Sequence, residues 1–384
     1  MKILLIYPGR SGPLKVAAGL STYLAKQGND VYLYLLDSPE YKLDFNNFIV
    51  DKPSPHINGL NFFGRFLRIL HLGRVSFQPD IVLTSLAFSI PFVKWFFRNI
   101  PIAYNMMGVP RPDVVINNLL LKFCYMLERL FSRRYVNKIP TYTTSDYYRQ
   151  YMLKHWNKKV DYVSNGVNTE FYRPTKNKNN LRKDLGMYDY DLIVSLGLTR
   201  FTPVYNPLLY MRWYNHVLHQ HKNKKILTII LGKTNTHQKE AIQQVFSNSS
   251  KEDCFNHHKF VLIYEKNAEM LRKYYQVSDV FISFFPQSLM EKEALACGIP
   301  VITAFWEGKT AKKLLRKLQH GLKEEQFIEK MNLLLSDEKF RNRYSSISRF
   351  VAENDFSNTK MGKKYLQILT NTAEQKAGHS QRIL

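Results

Sequence analysis

The chain has 384 residues, 45% of them hydrophobic, and its 55 Lys and Arg against 31 Asp and Glu give a formal net charge of +24. This length exceeds one ordinary core and predicts two domains, and the apolar content excludes a disordered polymer. The charge favours an anionic partner such as a phosphorylated substrate, an anionic membrane surface or nucleic acid. A basic surface that is only solvated is the alternative.

The cysteines and the apolar runs of the sequence indicate in which cellular compartment the protein is expected. Cys124, Cys254 and Cys297 have neither metal-ligand nor C-x-x-C spacing, so the sequence predicts no zinc site and no disulfide, as suits a reducing cytoplasm. The first apolar run ends at Pro8, which is too short for a signal-peptide core. No apolar run reaches the roughly 18–20 residues that span a bilayer. We expect a cytoplasmic protein, either free or on the cytoplasmic face of a membrane.

Strand and helix patterns alternate through the first half. The apolar run "KILLIYP" is typical of a buried parallel strand, and it precedes a glycine loop, the helical stretch "KVAAGLSTYLAKQGN" and a second strand, "DVYLYLLD". This order predicts a βαβ unit. Further predicted elements are the strands "DIVLTS", "IPIAYNM" and "TYTTS", and the helix "NLLLKFCYMLERLFSRRYV".

The second half repeats this alternation after a segment rich in Asn, Gly, Pro and Lys. Its predicted strands are "DLIVSLGL", "KKILTIILG", "FVLIYE", "DVFISFF" and "PVITAF". The fold class is therefore α/β, with two Rossmann-like doubly wound domains that face each other across a cleft. The predicted division is an N-terminal domain at 1–165, a connection at 166–185, a second domain at 186–355, and a closing helix with its tail at 356–384.

Two loops at the ends of predicted strands carry candidate anion ligands. "GRSG", from Gly9 to Gly12, follows the first strand, where glycines let backbone N–H groups approach a phosphate. Any first β–α turn favours glycine, and Pro13 removes one donor, so a purely structural role is the alternative. Arg200 follows the first strand of the second domain, where a guanidinium can bind a diphosphate through two hydrogen bonds. The alternative is that Arg200 is an ordinary surface arginine.

The stretch "LMEKEALACGIPVI" predicts a helix that ends at a glycine and leads into a strand. Ser288 lies at the predicted helix start, where its hydroxyl caps the helix and the amides next to it, such as that of Leu289, can meet a phosphate. Glu293 lies about one turn further in, where a carboxylate can accept hydrogen bonds from two neighbouring hydroxyls of a ribose. The alternative is that Glu293, like Glu291, is only an exposed helix residue.

These segments resemble one known family. "DVFISFF…EALACGIPVIT" resembles the nucleotide-sugar signature of the GT-B glycosyltransferases of family 4, also called group 1 glycosyltransferases. "VSNGVNTEFYRP" resembles the family's entry into the second domain. "MKILLIYPG…LAKQGNDVYLY" is similar to its opening, and "VAENDFSNTKMGKKYLQIL" is similar to its closing helix. The resemblance covers nearly the whole chain.

The resemblance implies a glycosyltransferase of the hexosyltransferase type. It would transfer a sugar from a nucleotide-sugar donor to a hydroxyl acceptor, lipid-linked or saccharide, with retention of configuration and without metal or cofactor. It implies that Glu293 binds the ribose and that Arg200 binds the donor phosphate and acts in catalysis. Gly9 and Gly12 would shape the donor and acceptor pocket.

Three positions depart from the family pattern. Tyr205 replaces a usual lysine, Phe285 replaces the usual acid that contacts the transferred sugar, and Met107 replaces a frequent histidine, with Asn105 nearby. Tyr205 and Asn105 are therefore further candidates for the donor and acceptor loops. The departures also support a second hypothesis, a non-catalytic GT-B module that binds a partner protein or a membrane. A nucleotide-sugar epimerase of the same fold is a third.

A basic and aromatic region lies in the first half. Between Lys52 and Lys138 there are 12 Lys and Arg and only 3 acids. The pattern predicts an amphipathic basic helix that lies on anionic lipid, or else core packing with extended arginine side chains. No RNA- or DNA-binding module is recognisable, so no nucleic-acid partner is expected. The residues of the predicted helix are Phe62, Phe63, Phe66, Leu67 and Leu70, with Arg65, Arg68 and Arg74 between them.

Overall fold

The chain forms two compact units, each of which is described by itself. The computed structural model describes residues 1–9, 11–39, 48–51, 61–107, 119–198, 206–247, 257–265, 267–285, 288–303, 309–319 and 323–381. Unit 1 consists of residues 1–166 and 358–384, and unit 2 of residues 167–357. Within the described ranges, the strands that form the two sheets all run parallel.

The strands are numbered in chain order. In unit 1 they are β1 (Lys2–Tyr7), β2 (Asp30–Leu35), β3 (Ile49–Asp51), β4 (Ile81–Thr84), β5 (Ile102–Met106), β6 (Thr141–Thr143) and β7 (Asp161–Tyr162). In unit 2 they are β8 (Leu192–Gly197), β9 (Ile226–Leu231), β10 (His258–Ile263), β11 (Val280–Ser283) and β12 (Val301–Thr303).

The helices occupy the crossovers between parallel strands. In unit 1 they begin with α1 (Ser11–Lys26), α2 (Asn61–His71), α3 (Ile90–Phe96), α4 (Leu119–Val136) and α5 (Asp146–Trp156). In unit 2 they are α6 (Lys178–Asp184), α7 (Pro207–Gln220), α8 (Thr236–Ser247), α9 (Ala268–Val277), α10 (Leu289–Ala296), α11 (Lys309–Leu314), α12 (Glu324–Ser336) and α13 (Glu338–Asp355). The last helix, α14 (Asn358–Gln381), belongs to unit 1.

Unit 1 is a seven-stranded sheet with helices on both faces. The strand order is β3-β2-β1-β4-β5-β6-β7. Helices α1 and α14 pack together, and α14 also contacts β4 and β5. The core on the opposite face joins β1, β4 and β5 to side chains of α2 to α5. Because helices cover both faces, the central strands are apolar on both sides, as the run "KILLIY" already indicates.

Unit 2 is a five-stranded sheet in the order β10-β9-β8-β11-β12. The prediction of two doubly wound α/β sheets is confirmed, and every predicted strand is present. Two further strands, β3 and β7, were not predicted from the sequence. They have three and two residues and extend the two ends of the unit 1 sheet, so they are too short to show an apolar run or an alternating pattern.

The predicted amphipathic helix is present as α2, and two of its arginines bind acids of unit 1. The Arg65 guanidinium binds both carboxylate oxygens of Asp37, at 2.7 and 3.0 Å. Arg68 is buried, pairs with Asp51 and lies 4.2 Å from the ring centroid of Tyr34. These arginines therefore fasten α2 to its own sheet.

The apolar residues of α2 are divided between the surface and the core. Leu67 and Leu70 are exposed, whereas the neighbouring Ile69 is fully buried. The side chains of Phe62 and Phe63 lie outside the described residues. Of the helices that the structure describes, none is long and apolar enough to cross a membrane.

Asp279, which precedes β11, is the main ionic contact that the structure shows between α6 and the sheet of unit 2. Its carboxylate binds Lys178 Nζ at 2.6 Å and Arg182 Nη2 at 2.5 Å. It also accepts the backbone N–H of Ile193, at the start of β8, at 2.7 Å. Burial lowers the pKa of Lys178, and the adjacent Asp279 opposes that shift. One carboxylate thus joins α6, β8 and β11.

We expect Asp279→Asn to destabilise unit 2 by about 3 kcal/mol, because two partly buried cations lose their partner. The measurement is urea unfolding followed by tryptophan fluorescence. The matched control is Asp184→Asn, which changes an exposed carboxylate at the end of α6 and should cost less than about 0.5 kcal/mol. Equal stability of the two variants would contradict this account of α6.

Candidate functional site

The strand order of unit 2 defines where a ligand can bind. The chain proceeds from β8 outward through β9 to β10, then returns to the other side of β8 with β11 and β12. The order reverses between β8 and β11, whose ends pair as Gly197 with Ser283. In open α/β sheets, ligands bind outside the carboxyl ends of the strands at this switch point. The loops after β8 and β11 therefore form the candidate site.

Helix α10 begins in this site. Ser288 is its N-cap, and the Ser288 hydroxyl accepts the backbone N–H of Glu291 at 3.1 Å. The predicted cap is confirmed, and Leu289 is the first helical residue. The predicted helix end is also confirmed, since Gly298 follows the C-cap with a φ of +72°, a left-handed conformation that favours glycine. The positive end of α10 therefore faces the switch point.

Glu293 and Glu291 are not exposed, so the alternative that both are surface residues is wrong. Glu293 is 1% exposed, and its carboxylate accepts the Tyr275 hydroxyl at 3.0 Å. Glu291 is 3% exposed, and the Thr303 hydroxyl lies 3.4 Å from its carboxylate. Burial raises the pKa of Tyr275 well above its ordinary value, and the adjacent Glu293 raises it further. The role of Glu293 in ribose binding stays a prediction.

Glu291 is the residue that the sequence analysis overlooked. Thr303, its partner, is the last residue of β12, so the Glu291 carboxylate lies near the carboxyl edge of the sheet. A signal was present, because Ser288 and Glu291 have the Ser-x-x-Glu spacing of a capping box. That spacing indicates an acid that turns back to the helix start.

Arg349 of α13 fixes the other end of α10. Its Nη1 donates to three carbonyl oxygens, those of Thr169 at 2.8 Å, Tyr172 at 2.8 Å and Ala296 at 2.7 Å. Ala296 is the last residue of α10, so a cation lies where the helix dipole is negative. Arg349 also pairs with Glu353 at 2.7 Å. The direction of α10, and with it the direction of its N-terminus, is set by these contacts.

Arg200 and Tyr205 lie outside the described residues. In the chain, Arg200 follows β8 by three residues, and β8 borders the switch point. Phe285 lies on the other side, two residues after β11, and its carbonyl accepts the Ser283 hydroxyl at 2.9 Å. The phenyl group of Phe285 is half-buried. The strands that precede the two candidate loops, β8 and β11, thus end side by side at one edge of the sheet.

In unit 1, Gly9 lies at the corresponding switch point, after β1 and beside β4. A Cβ at Gly9 would lie 1.9 Å from the carbonyl oxygen of Asp37, so only glycine allows the loop to pass the chain that leaves β2. Gly12 lies in the first turn of α1. This close packing requires glycine at position 9 whether or not a ligand binds there.

Asn105 is placed inside unit 1. It is fully buried on β5, and its Nδ2 donates to the Tyr7 hydroxyl at 3.1 Å. Burial raises the pKa of Tyr7 to about 12, and the hydrogen bond from Asn105 opposes that shift. An acceptor would reach Asn105 only if the side chains around it moved. Met107 follows β5 and is half-buried.

Among the described residues, no group of His, Cys, Asp and Glu has the arrangement of a metal site. The thiol of Cys297 is buried beside Glu293, and both burial and that carboxylate raise its pKa. It is therefore a packing residue rather than a nucleophile.

No protein-family model matches the chain, and no curated protein matches it significantly. Solved structures do match. A glycosyltransferase from Rickettsia africae is 18% identical, with a TM-score of 0.71 over 97% of this chain and 98% of its own. HepE from Anabaena in complex with UDP-glucose is 13% identical, with a TM-score of 0.68 over 97% and 100%. WaaG, a glycosyltransferase of lipopolysaccharide biosynthesis, is 14% identical, with a TM-score of 0.67 over 96% and 100%.

A second class of enzyme shares the fold at a lower score. UDP-GlcNAc 2-epimerase from Neisseria meningitidis is 15% identical, with a TM-score of 0.58 over 97% of this chain and 100% of its own. The similarity to the glycosyltransferases extends over nearly the whole chain, and it confirms that the fold is GT-B, as the sequence resemblance implies.

We expect Ser288→Ala to destabilise unit 2 by about 1 kcal/mol, because the N–H of Glu291 loses its acceptor. Ser288→Asp should keep the stability, because its carboxylate caps the helix and complements the dipole. The readout is the thermal unfolding midpoint. Asp337→Ala, which removes the cap of α13, is the matched control and should cost a similar amount. A fully stable Ser288→Ala would show that the cap is dispensable.

Proposed function

We propose that the chain is a glycosyltransferase of family 4, transferring a sugar from a nucleotide-sugar donor to a hydroxyl acceptor with retention of configuration. The observation that carries the proposal is the capped N-terminus of α10 at the switch point of unit 2, within a fold shared with HepE bound to UDP-glucose. The resemblance of "EALACGIPVIT" to the family signature falls on this same helix.

The diphosphate and the ribose of the donor each have a group of matching chemistry. The diphosphate would lie at the start of α10, where the Ser288 and Leu289 region presents backbone amides and the positive helix end. Arg200 would add a guanidinium from the loop after β8. These groups would stabilise the charge that develops on the departing diphosphate, which is the main electrostatic need of the transfer. No metal ion or cofactor is part of the proposal.

Glu293 would bind the ribose hydroxyls with the carboxylate whose Oε2 accepts the Tyr275 hydroxyl. The Tyr275 bond holds the carboxylate in one orientation, so binding a ribose would cost little side-chain entropy. The donor-sugar acid of the family is absent at Phe285, and we assign no residue to that role. The acceptor is proposed to be lipid-linked or saccharide, and the similarity to WaaG of lipopolysaccharide biosynthesis supports this class.

The test is a panel of UDP-, ADP-, GDP- and dTDP-sugars, measured by the rise that each causes in the thermal unfolding midpoint. We expect one nucleotide to raise the midpoint and Glu293→Gln to remove most of that rise, because a neutral amide is a weaker acceptor for ribose hydroxyls. The matched control is Tyr275→Phe, which removes the internal hydrogen bond but keeps the carboxylate. It should lower the midpoint without ligand yet keep a ligand-induced rise.

Two outcomes would contradict these assignments. An equal ligand-induced rise in wild type and Glu293→Gln would make Glu293 a purely structural residue. The absence of a rise with any nucleotide would favour the non-catalytic module. Product analysis with the stabilising donor separates the remaining alternative, because an epimerase isomerises the donor without an acceptor.

The phosphate side of the site is tested separately. We expect Arg200→Ala to weaken nucleotide-diphosphate binding at least about tenfold, since it removes a charge-assisted hydrogen bond. Ser288→Asp should also weaken binding, because it keeps the cap but places a negative charge next to the phosphates. Isothermal titration with the selected nucleotide is the measurement. The control is Arg212→Ala on the exposed side of α7, which should bind as wild type does. Unchanged binding in Arg200→Ala would exclude it from the site.

A further inference from the structure

We propose that the outer face of α3 and α4 in unit 1 is a docking surface for an anionic lipid bilayer. The surface, called the α3–α4 face below, consists of Lys94, Trp95, Phe123, Met126, Arg129, Leu130, Arg133 and Arg134. It differs from the segment that the sequence analysis selected, whose arginines Arg65 and Arg68 are bound to acids of the sheet edge. Lipid binding by this face does not depend on the proposed transfer reaction.

Helix α4 carries an exposed apolar stripe. Phe123 is 50% exposed, Met126 49% and Leu130 57%. Their spacing of three and then four residues places them on one side of the helix. A water-exposed stripe of three large apolar residues on one helix is costly for a free soluble surface and is a feature of interaction sites. The opposite side of α4 packs inward, with Ser132 and Val136 buried.

Cations lie among these apolar residues. Arg129, Arg133 and Arg134 are exposed on the same side of α4 as Leu130. Basic residues beside large apolar ones match the interface of an anionic bilayer, in which apolar groups enter the acyl boundary while guanidinium groups meet the phosphates.

Helix α3 lies beside α4 and adds an exposed lysine and tryptophan. The Lys94 ammonium group lies 5.4 Å from the ring centroid of Tyr135 in α4, so the two helices are neighbours. Trp95, next to Lys94, is 60% exposed and stacks on Phe96 with ring centroids 5.3 Å apart. An exposed tryptophan beside a lysine is the residue pair expected at the headgroup level of a membrane.

The acids of these helices do not oppose an anionic partner. Helix α3 has no acid, and α4 has one, Glu128. The Glu128 carboxylate turns inward and accepts the backbone N–H groups of Ala87 at 2.6 Å and Phe88 at 3.2 Å. The exposed positions of the α3–α4 face are therefore cationic or apolar, and an anionic bilayer is electrostatically favoured over a neutral one.

The test is co-sedimentation of the full chain with phosphatidylcholine vesicles and with vesicles that also contain about one-third phosphatidylglycerol. We expect binding to the anionic vesicles only, and a loss of that binding in high salt. Arg133→Glu/Arg134→Glu should weaken the partition coefficient at least about tenfold, because it replaces two cations near the anionic surface by two anions. Trp95→Ser/Leu130→Ser should also weaken it.

The matched control is Lys360→Glu/Lys363→Glu, which makes the same charge change on exposed positions of α14, on the other face of the same sheet. It should retain most of the binding, and all variants should keep the wild-type unfolding midpoint. The proposal is overturned by equal binding to neutral vesicles, by no sedimentation with either vesicle, or by equal losses in the Arg133/Arg134 and Lys360/Lys363 variants. No sedimentation would leave an acidic protein as the partner class for this face.

Discussion

Three consecutive charged residues inside unit 2 fix the position of α10, and the candidate site depends on them. Glu291, Lys292 and Glu293 are each no more than 3% exposed. Burying a charge is costly unless it has partners, and here the described partners come from three elements. Thr303 of β12 reaches Glu291, the Phe356 ring lies 4.9 Å from the Lys292 ammonium, and Tyr275 of α9 donates to Glu293. The helix therefore has one stable orientation, with its N-terminus at the switch point.

The same constraint explains why small residues alternate after Glu293 in this chain. Ala294 and Ala296 are fully buried, so larger side chains would separate α10 from the layers that satisfy its charges. Gly298 then lets the chain turn in a left-handed conformation into β12. A motif that is read from sequence as a nucleotide-sugar signature is thus, in this structure, also a packing motif. Glu293 therefore has a packing role within unit 2, through its bond from Tyr275, beside its proposed role in ribose binding.

Sequence patterns predicted the fold well because parallel strands buried on both faces are continuous apolar runs. They also located the N-cap at Ser288 and the helix end at Gly298, since both depend on local backbone chemistry. They could not predict burial of charged residues. Glu291 stands in a run of three charged residues and Arg68 in a basic helix, and the partners Thr303 and Asp51, distant in the chain, make their burial possible. The burial of Asn105 beside Tyr7 likewise depends on a residue that is distant in the chain.

The distribution of the acids explains how a net charge of +24 acts on unit 1. Three acids of unit 1 serve as internal ligands. Asp37 and Asp51 bind arginines of α2, and Glu128 binds backbone amides. The first two acids each pair with an arginine of α2, whereas Glu128 accepts hydrogen bonds from backbone N–H groups and from the Tyr104 hydroxyl. The arginines of α4 consequently have no exposed acid on their own helix, and their field extends outward. The apolar stripe of α4 lies within that field, so any anionic surface that approaches unit 1 meets charge and apolar contact area at the same place.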